Sequence, residues 1–306
     1  MLVSSLPLFK GLFNFDASFE SLGGASDGVP RLLAFCESKR YLSALRDNSY
    51  LAAVVTRPEY AGEINPSVCV IATDNPRELF FLAHDYLLAN TDFYDRDFGL
   101  DISVEASIHP SAVIAEDNVK IGAGAVVEAR AVIGRNTVIG DGARVMPGAV
   151  VGFEGVQILN RGRDQILAAH AGGVMIGPGV SIGAGCVINK ALFGHRNTII
   201  GGNTIIGANT VIGHGCKLGP GCFVASGVVV GGGVELGEMV TVGLGAVLGH
   251  GLSVGTGATI GLGALVKKSL PPGLTVYGET ANSQETLLER ERRQAYLDDL
   301  YCRNNY

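Results

Sequence analysis

Residues 198–219 read TIIGGNTIIGANTVIGHGCKLG, and an aliphatic residue returns in them at every sixth place: Ile200, Ile206, Ile212, Leu218. The series runs on through Val224, Val230, Leu236, Val242, Leu248, Val254, Ile260 and Val266, and back through Ile188, Ile182 and Ile176. One step, Ile188 to Ile200, is twelve residues, which preserves the register with Gly194 in the missing place. Gly usually follows the aliphatic, as in Gly207, Gly213 and Gly219. Two residues before it stands something small or β-branched, such as Thr204, Thr210 or Cys216. A period of six is a whole number of strand alternations, so every hexad puts its aliphatic on the same inner side. One hexad buries too little to stand alone. Stacked turns bury a continuous apolar column and pair their backbones. The Gly reads as a corner residue, where φ is positive or side-chain room is absent. The period predicts a mostly β chain wound as a parallel β-helix.

The same period begins near Ile108 and continues through Ile114, Ile121, Val127, Ile133, Ile139, Val145 and Val151, with one extra residue between Ile114 and Ile121. Residues 153–173 break it with a charged, Gly-containing stretch that reads as a projecting loop, and long loops in regular scaffolds are commonly functional. Residues 1–103 have no such period and read as a small α/β domain. A helix is expected over Ser38–Asp47, strands over Leu51–Thr56 and Ser67–Ala72, and a helix from about Arg77 to Asn90 behind the Asn75-Pro76 start. Leu79, Leu82, Ala83 and Tyr86 form that helix's expected packing face. Residues 104–281 form the coil, with Pro271-Pro272-Gly273 as its closing turn. A C-terminal helix is expected over 282–306, opened by Asn282 and Glu285.

Composition narrows the function. The chain has 306 residues, 44 of them Gly, which the repeat accounts for, and a net charge of −6. No basic footprint for nucleic acid is present. No run is long and apolar enough for a membrane span, and the N-terminus does not read as a secretion signal. Cys186, Cys216 and Cys222 fall on the small inward position of the hexad. Buried free thiols in a cytoplasmic protein are therefore expected rather than disulfides or a metal site.

The whole chain resembles the UDP-3-O-acylglucosamine N-acyltransferases of lipid A synthesis, within the hexapeptide-repeat acyltransferases. The carrying segments are Phe35–Leu45 (FCESKRYLSAL), Asn75-Pro76, His170–Ala191 (HAGGVMIGPGVSIGAGCVINKA) and Ile212–Gly219 (IGHGCKLG). The resemblance implies a left-handed coil with three hexads per turn and a homotrimer with active sites between neighbouring coils. It implies a nucleotide-sugar domain at 1–103, where Phe35 and Tyr41 pack on the uracil of a UDP-sugar. It maps the family's catalytic base onto His214, which takes a proton from the sugar amine as that amine attacks a thioester on the phosphopantetheine arm of an acyl carrier protein. No permanently bound cofactor and no metal are implied. A backbone N–H at the Gly-rich edge, such as that of Gly232, serves the oxyanion. The family's Asp-Arg after the projecting loop reads Asn189-Lys190 here.

With three hexads per turn, His214 and His250 are 36 residues, or two turns, apart on one edge. The strand spacing then separates them by roughly 10 Å. His195, one turn and one residue before His214, is expected close to that edge. Imidazole titrates near neutrality and suits a general base. His170, Asn189, His195, Gly232 and His250 join Phe35 and Tyr41 as expected substrate contacts. Two other readings stay open: an acetyl-CoA-dependent acetyltransferase acting on a nucleotide sugar, and a non-catalytic β-helical binding module.

Overall fold

The structure, a computed structural model, describes residues 1–158, 167–278 and 292. The expected C-terminal helix over 282–306 lies outside the described residues apart from Arg292.

The hexads form a left-handed parallel β-helix with three faces. The first face runs from Leu100–Ile102 to Ser253–Val254. The second runs from Ser107–Ile108 to Thr275–Val276, and the third from Val113–Ile114 to Leu265–Val266. Equivalent strands pair in parallel at 18-residue spacing, as in Ile212 with Val230, Val230 with Leu248 and Leu248 with Val266. The coil begins one strand before the expected start, because Leu100–Ile102 already pairs with Val119–Ile121. It also continues through the Pro-Pro-Gly turn, which serves as one more corner before Thr275–Val276 joins Thr259–Ile260.

Both kinds of Gly in the hexad have a cause. Gly213 follows Ile212, and a Cβ on it would stand 2.6 Å from the Gly232 nitrogen of the next coil. Gly215, two places on, has φ +68°, the left-handed region that favours Gly. Inside, Ile176, Ile182, Ile188, Ile200, Ile206 and Ile212 form one buried column with the later aliphatics. Ile182 is fully buried. Ile182→Ala should lower unfolding stability by about 2–5 kcal/mol, read by urea denaturation. The inward thiols and hydroxyls are not idle: Cys216 donates to the Gly231 carbonyl at 3.1 Å and Thr204 to Gly219 at 3.1 Å. Burial pushes the Cys216 thiol up to about 11, so it stays protonated and unreactive.

The twelve-residue step is not a skipped hexad. Ile188 closes the third face and Ile200 lies on the first, so a single corner separates them. Six residues beyond the usual six are looped out there. Gly194 is not an inward position; a Cβ on it would run into the Tyr94 ring.

The N-terminal segment is a four-stranded parallel sheet in the order β1–β2–β3–β4: Ser21–Leu22, Leu32–Cys36, Leu51–Thr56 and Cys69–Ala72. Helix α1 spans Leu42–Arg46 and α2 spans Pro76–Asn90. The expected strand at 51–56 is present as read, while β2 has no counterpart in the sequence reading. The buried face of α2 is Phe80, Phe81, Ala83, His84 and Leu87, with Leu79 and Tyr86 only partly buried. The reading placed the helix correctly and rotated its face, because it gave His84 no apolar role. Ala168, Leu192 and Phe193, from the two stretches that leave the coil, pack into the same core as α2 and the sheet. No helix among the described residues is long and apolar enough to cross a membrane.

Candidate active site

The third-to-first corner is where the coil departs from its regular path. Both excursions leave from it: Glu154–Gly172 after the strand Val150–Phe153, and Lys190–Arg196 after Val187–Asn189. The regular corners after them carry His214, Gly232 and His250 at equivalent places, two residues beyond Ile212, Val230 and Leu248. Pro147, Pro178 and Pro220 occupy that place in other hexads, so the ladder needs no N–H there. Among the described residues, the Gly232 N–H accordingly has no backbone acceptor.

His214 is half-buried and its ring is enclosed on several sides. A Cβ on Gly232 would stand 2.5 Å from its Nε2, and one on Gly155 would stand 3.5 Å from its Cδ2. The His170 ring meets it edge to face, centroids 5.3 Å apart at 76°. Burial, and then the charge of His250 on the same edge, hold the His214 pKa below the ordinary imidazole value. The ring is therefore neutral at neutral pH, the form that accepts a proton. His250 sits where the spacing put it, exposed to solvent.

The floor of the corner is fixed by hydrogen bonds. Thr198, fully buried, donates to the Asn189 carbonyl at 2.6 Å and accepts from the Gly215 N–H at 2.8 Å. The Asn189 amide donates to the Glu154 carbonyl at 3.2 Å. Lys190 pairs with the Glu154 carboxylate at 3.5 Å, and the same oxygen receives the His170 N–H at 3.4 Å. Ala169 is clamped from α2: its carbonyl accepts from His84 Nε2 at 3.0 Å, and its N–H donates to Asp85 at 3.0 Å. Tyr94 completes the clamp with a 2.7 Å hydrogen bond to His84 Nδ1. A cavity of about 410 Å³ opens beside His170, lined by Tyr94, Arg96, Asn118, Arg135 and Lys190.

His195 shares the edge. Its ring stacks on Phe193, and its Nε2 lies 3.5 Å from the Asp27 carboxylate without a hydrogen bond between them. Asp27 also pairs with Arg196 and accepts from the Gly24 N–H. Burial pushes the Asp27 carboxyl up, but His195, Arg196 and Gly24 together more than reverse this and hold it below the ordinary value. Arg196, with His195 beside it, thus sets the coil against Asp27 of the N-terminal segment. Asp27→Ala should cost roughly 1–3 kcal/mol of stability, read by urea unfolding. A lowered folded-state pKa means this stability is present above the ordinary value of 3.8 and is lost as pH falls through the lowered one.

Phe35 and Tyr41 have separate neighbours. Phe35 packs within 4.9 Å of Phe80 and 5.8 Å of Phe81. Tyr41 is 37% exposed beneath the Arg40 guanidinium. Between them and the corner stands Arg77, which the sequence reading did not single out. It lies over Phe81, 3.9 Å from Glu37, and donates to the Ile158 carbonyl at 3.0 Å. His84, Asp85, Glu154 and Lys190 were missed for a related reason: each acts through backbone or through a neighbour more than a hundred, or only a few tens, of residues from His214, and no short motif records that. The one visible signal was His84 itself, a polar residue on the apolar flank of FFLAHDYLL.

Residues 118–152 and 197–232 match the bacterial transferase hexapeptide family, described as six repeats. Both matched stretches lie within the coil. Among solved structures the chain is similar to the UDP-N-acetylglucosamine acyltransferase of Francisella novicida: 26% identity over 63% of this chain and 72% of that one, TM-score 0.49. It is also similar to the enzyme of that name from Campylobacter jejuni: 28% identity, 57% and 73% covered, TM-score 0.43. For LpxA of Acinetobacter baumannii the values are 26%, 63% and 77%, with TM-score 0.42.

Proposed function

We propose that this chain is an acyltransferase that moves an acyl group from a phosphopantetheine thioester to the amine of a nucleotide-linked amino sugar, in a pathway of the lipid A type. The observation that carries the reading is His214: a neutral, half-buried imidazole fixed at a hexapeptide corner, its Nε2 against Gly232. In this reading the acceptor amine attacks the thioester carbonyl and gives its proton to His214. The C–N bond forms, the C–S bond breaks, and His214 returns the proton to the leaving thiolate. The Gly232 N–H, free of the ladder, suits the oxyanion. Asn189 lines the acceptor side and His250 the far end of the edge, while His170, expected there as a substrate contact, is buried behind the His214 ring. Phe35, with Tyr41 nearby in sequence, offers the face for a uracil.

The donor is an acyl carrier protein or CoA, with no cofactor held permanently. A homotrimer belongs with this reading. The third face presents an outward aliphatic row from Val113 and Val132 through Val211, Val229, Val247 and Leu265. Such a row suits a neighbouring coil. Buried free thiols at Cys36, Cys69, Cys186, Cys216 and Cys222 suit a cytoplasmic setting.

The test is thiol release by the purified chain with UDP-, dTDP- and GDP-linked amino sugars, each offered acyl carrier protein or acetyl-CoA as donor. Release that needs both a UDP-amino sugar and the acylated carrier protein is the expected result. Release with acetyl-CoA alone transfers the assignment to an acetyltransferase. Silence with every pair leaves a binding module.

A further inference from the structure

His170 is fully buried, at 1% exposure, and neither of its ring nitrogens has a hydrogen-bond partner among the described residues. Buried imidazoles normally find partners, as His84 does on both of its nitrogens. The His170 backbone is also held with unusual care. Ala169 before it is gripped on both its N–H and its carbonyl by consecutive residues of α2, and the His170 N–H meets the Glu154 carboxylate. A ring so firmly placed, unsatisfied, and edge to face with His214 is placed for His214.

We propose that His170 is the positioning residue of His214: it walls the inner side of that ring, and one of its unpaired nitrogens receives the N–H of His214 when His214 is charged. This rests on the acyltransfer reading for its catalytic meaning, while the pairing of the two rings stands on their geometry. His170 takes no proton. Its own pKa is pushed to about 4, by burial first and by His214 second, so it stays an acceptor throughout. The role is the one a carboxylate fills beside a catalytic histidine elsewhere, here filled by a neutral ring. A slight tilt converts the edge-to-face contact into a hydrogen bond, and such bonds are often long before substrate is bound.

The charged or titratable groups around His214 are His170 on the loop, Glu154 and Lys190 paired across the corner, and His250 along the edge. Substituting His170 leaves the other three in place. The experiment is an NMR titration of His214 in the full chain, with His170→Phe keeping the ring shape and His170→Gln keeping a polar acceptor. In His170→Phe the His214 midpoint is expected to fall by about one further pH unit, a tenfold weaker proton affinity, because the charged form loses its acceptor. In His170→Gln it stays within about 0.3 unit of the native value. Turnover should fall about tenfold in the Phe variant at unchanged KM. An unchanged His214 midpoint in His170→Phe overturns the proposal. If that variant does not fold, Asp85→Ala loosens the same clamp and should move the midpoint down; no movement there overturns the proposal equally. A His214→Ala variant that retains turnover removes the acyltransfer reading, and the titration still decides whether His170 serves His214.

Discussion

His214→Ala should lower turnover by about three orders of magnitude, the upper part of the range for a positioned general base. Its melting temperature should stay close to native, because the imidazole is half-buried, lies outside the apolar column and makes no hydrogen bond among the described residues. The combination matters. A catalytic loss together with a melting loss would speak for a packing residue. The pH profile gives an independent reading of the same ring. Burial and the His250 charge both disfavour the protonated form, so the acid limb should lie below the ordinary imidazole value of 6.5. Activity is full above that limb and is lost as pH falls through it. His250 is exposed, so its share of the effect is screened by salt. Raising ionic strength should move the limb upward towards 6.5, and a His250→Gln variant should do so at any salt concentration.

Gly232→Ala should lower turnover by about a hundredfold or more while leaving unfolding stability within about 1 kcal/mol of native. Its backbone is not in the left-handed region, so Ala meets no conformational penalty. The added methyl has one place to go, and that place is 2.5 Å from His214 Nε2. The imidazole must turn away from the nitrogen that is to take the proton. The same substitution at Gly213 gives the contrast. There the methyl meets the backbone of the next coil at 2.6 Å, and the damage should appear in stability. A Gly232→Ala chain with native turnover would place the reacting centre away from this corner.

The scaffold was legible because its cause is local and repeated. Ile200, Ile206 and Ile212 state the register, Gly213 states the close approach, and Thr204 or Cys216 states the narrow interior. His214 and His250 were legible on one edge once three hexads made a turn, and the 18-residue ladder places them there. The twelve-residue step misled, because counting by sixes cannot distinguish a hexad from an equal number of looped-out residues. Only the pairing of Val187 with Val211 across it shows that one corner absorbed them all. The neighbour of His195 was not legible either: Asp27, 168 residues earlier, stands 3.5 Å from its Nε2, and no spacing along the chain records that. The grip of His84 and Asp85 on Ala169 joins distant residues through backbone atoms, so no side-chain pattern announces it.

Both excursions return to the ladder in register, at Gly173 and at Asn197. The coil therefore bears them as a wall bears a balcony: the strands above and below keep their partners whatever hangs from that one edge. Variation in length and chemistry can accumulate along Glu154–Gly172 and Lys190–Arg196 without any retuning of the apolar column. A lineage built on this plan can exchange what it recognises one corner at a time, and the ring at the next corner up inherits each new neighbour without itself having to move.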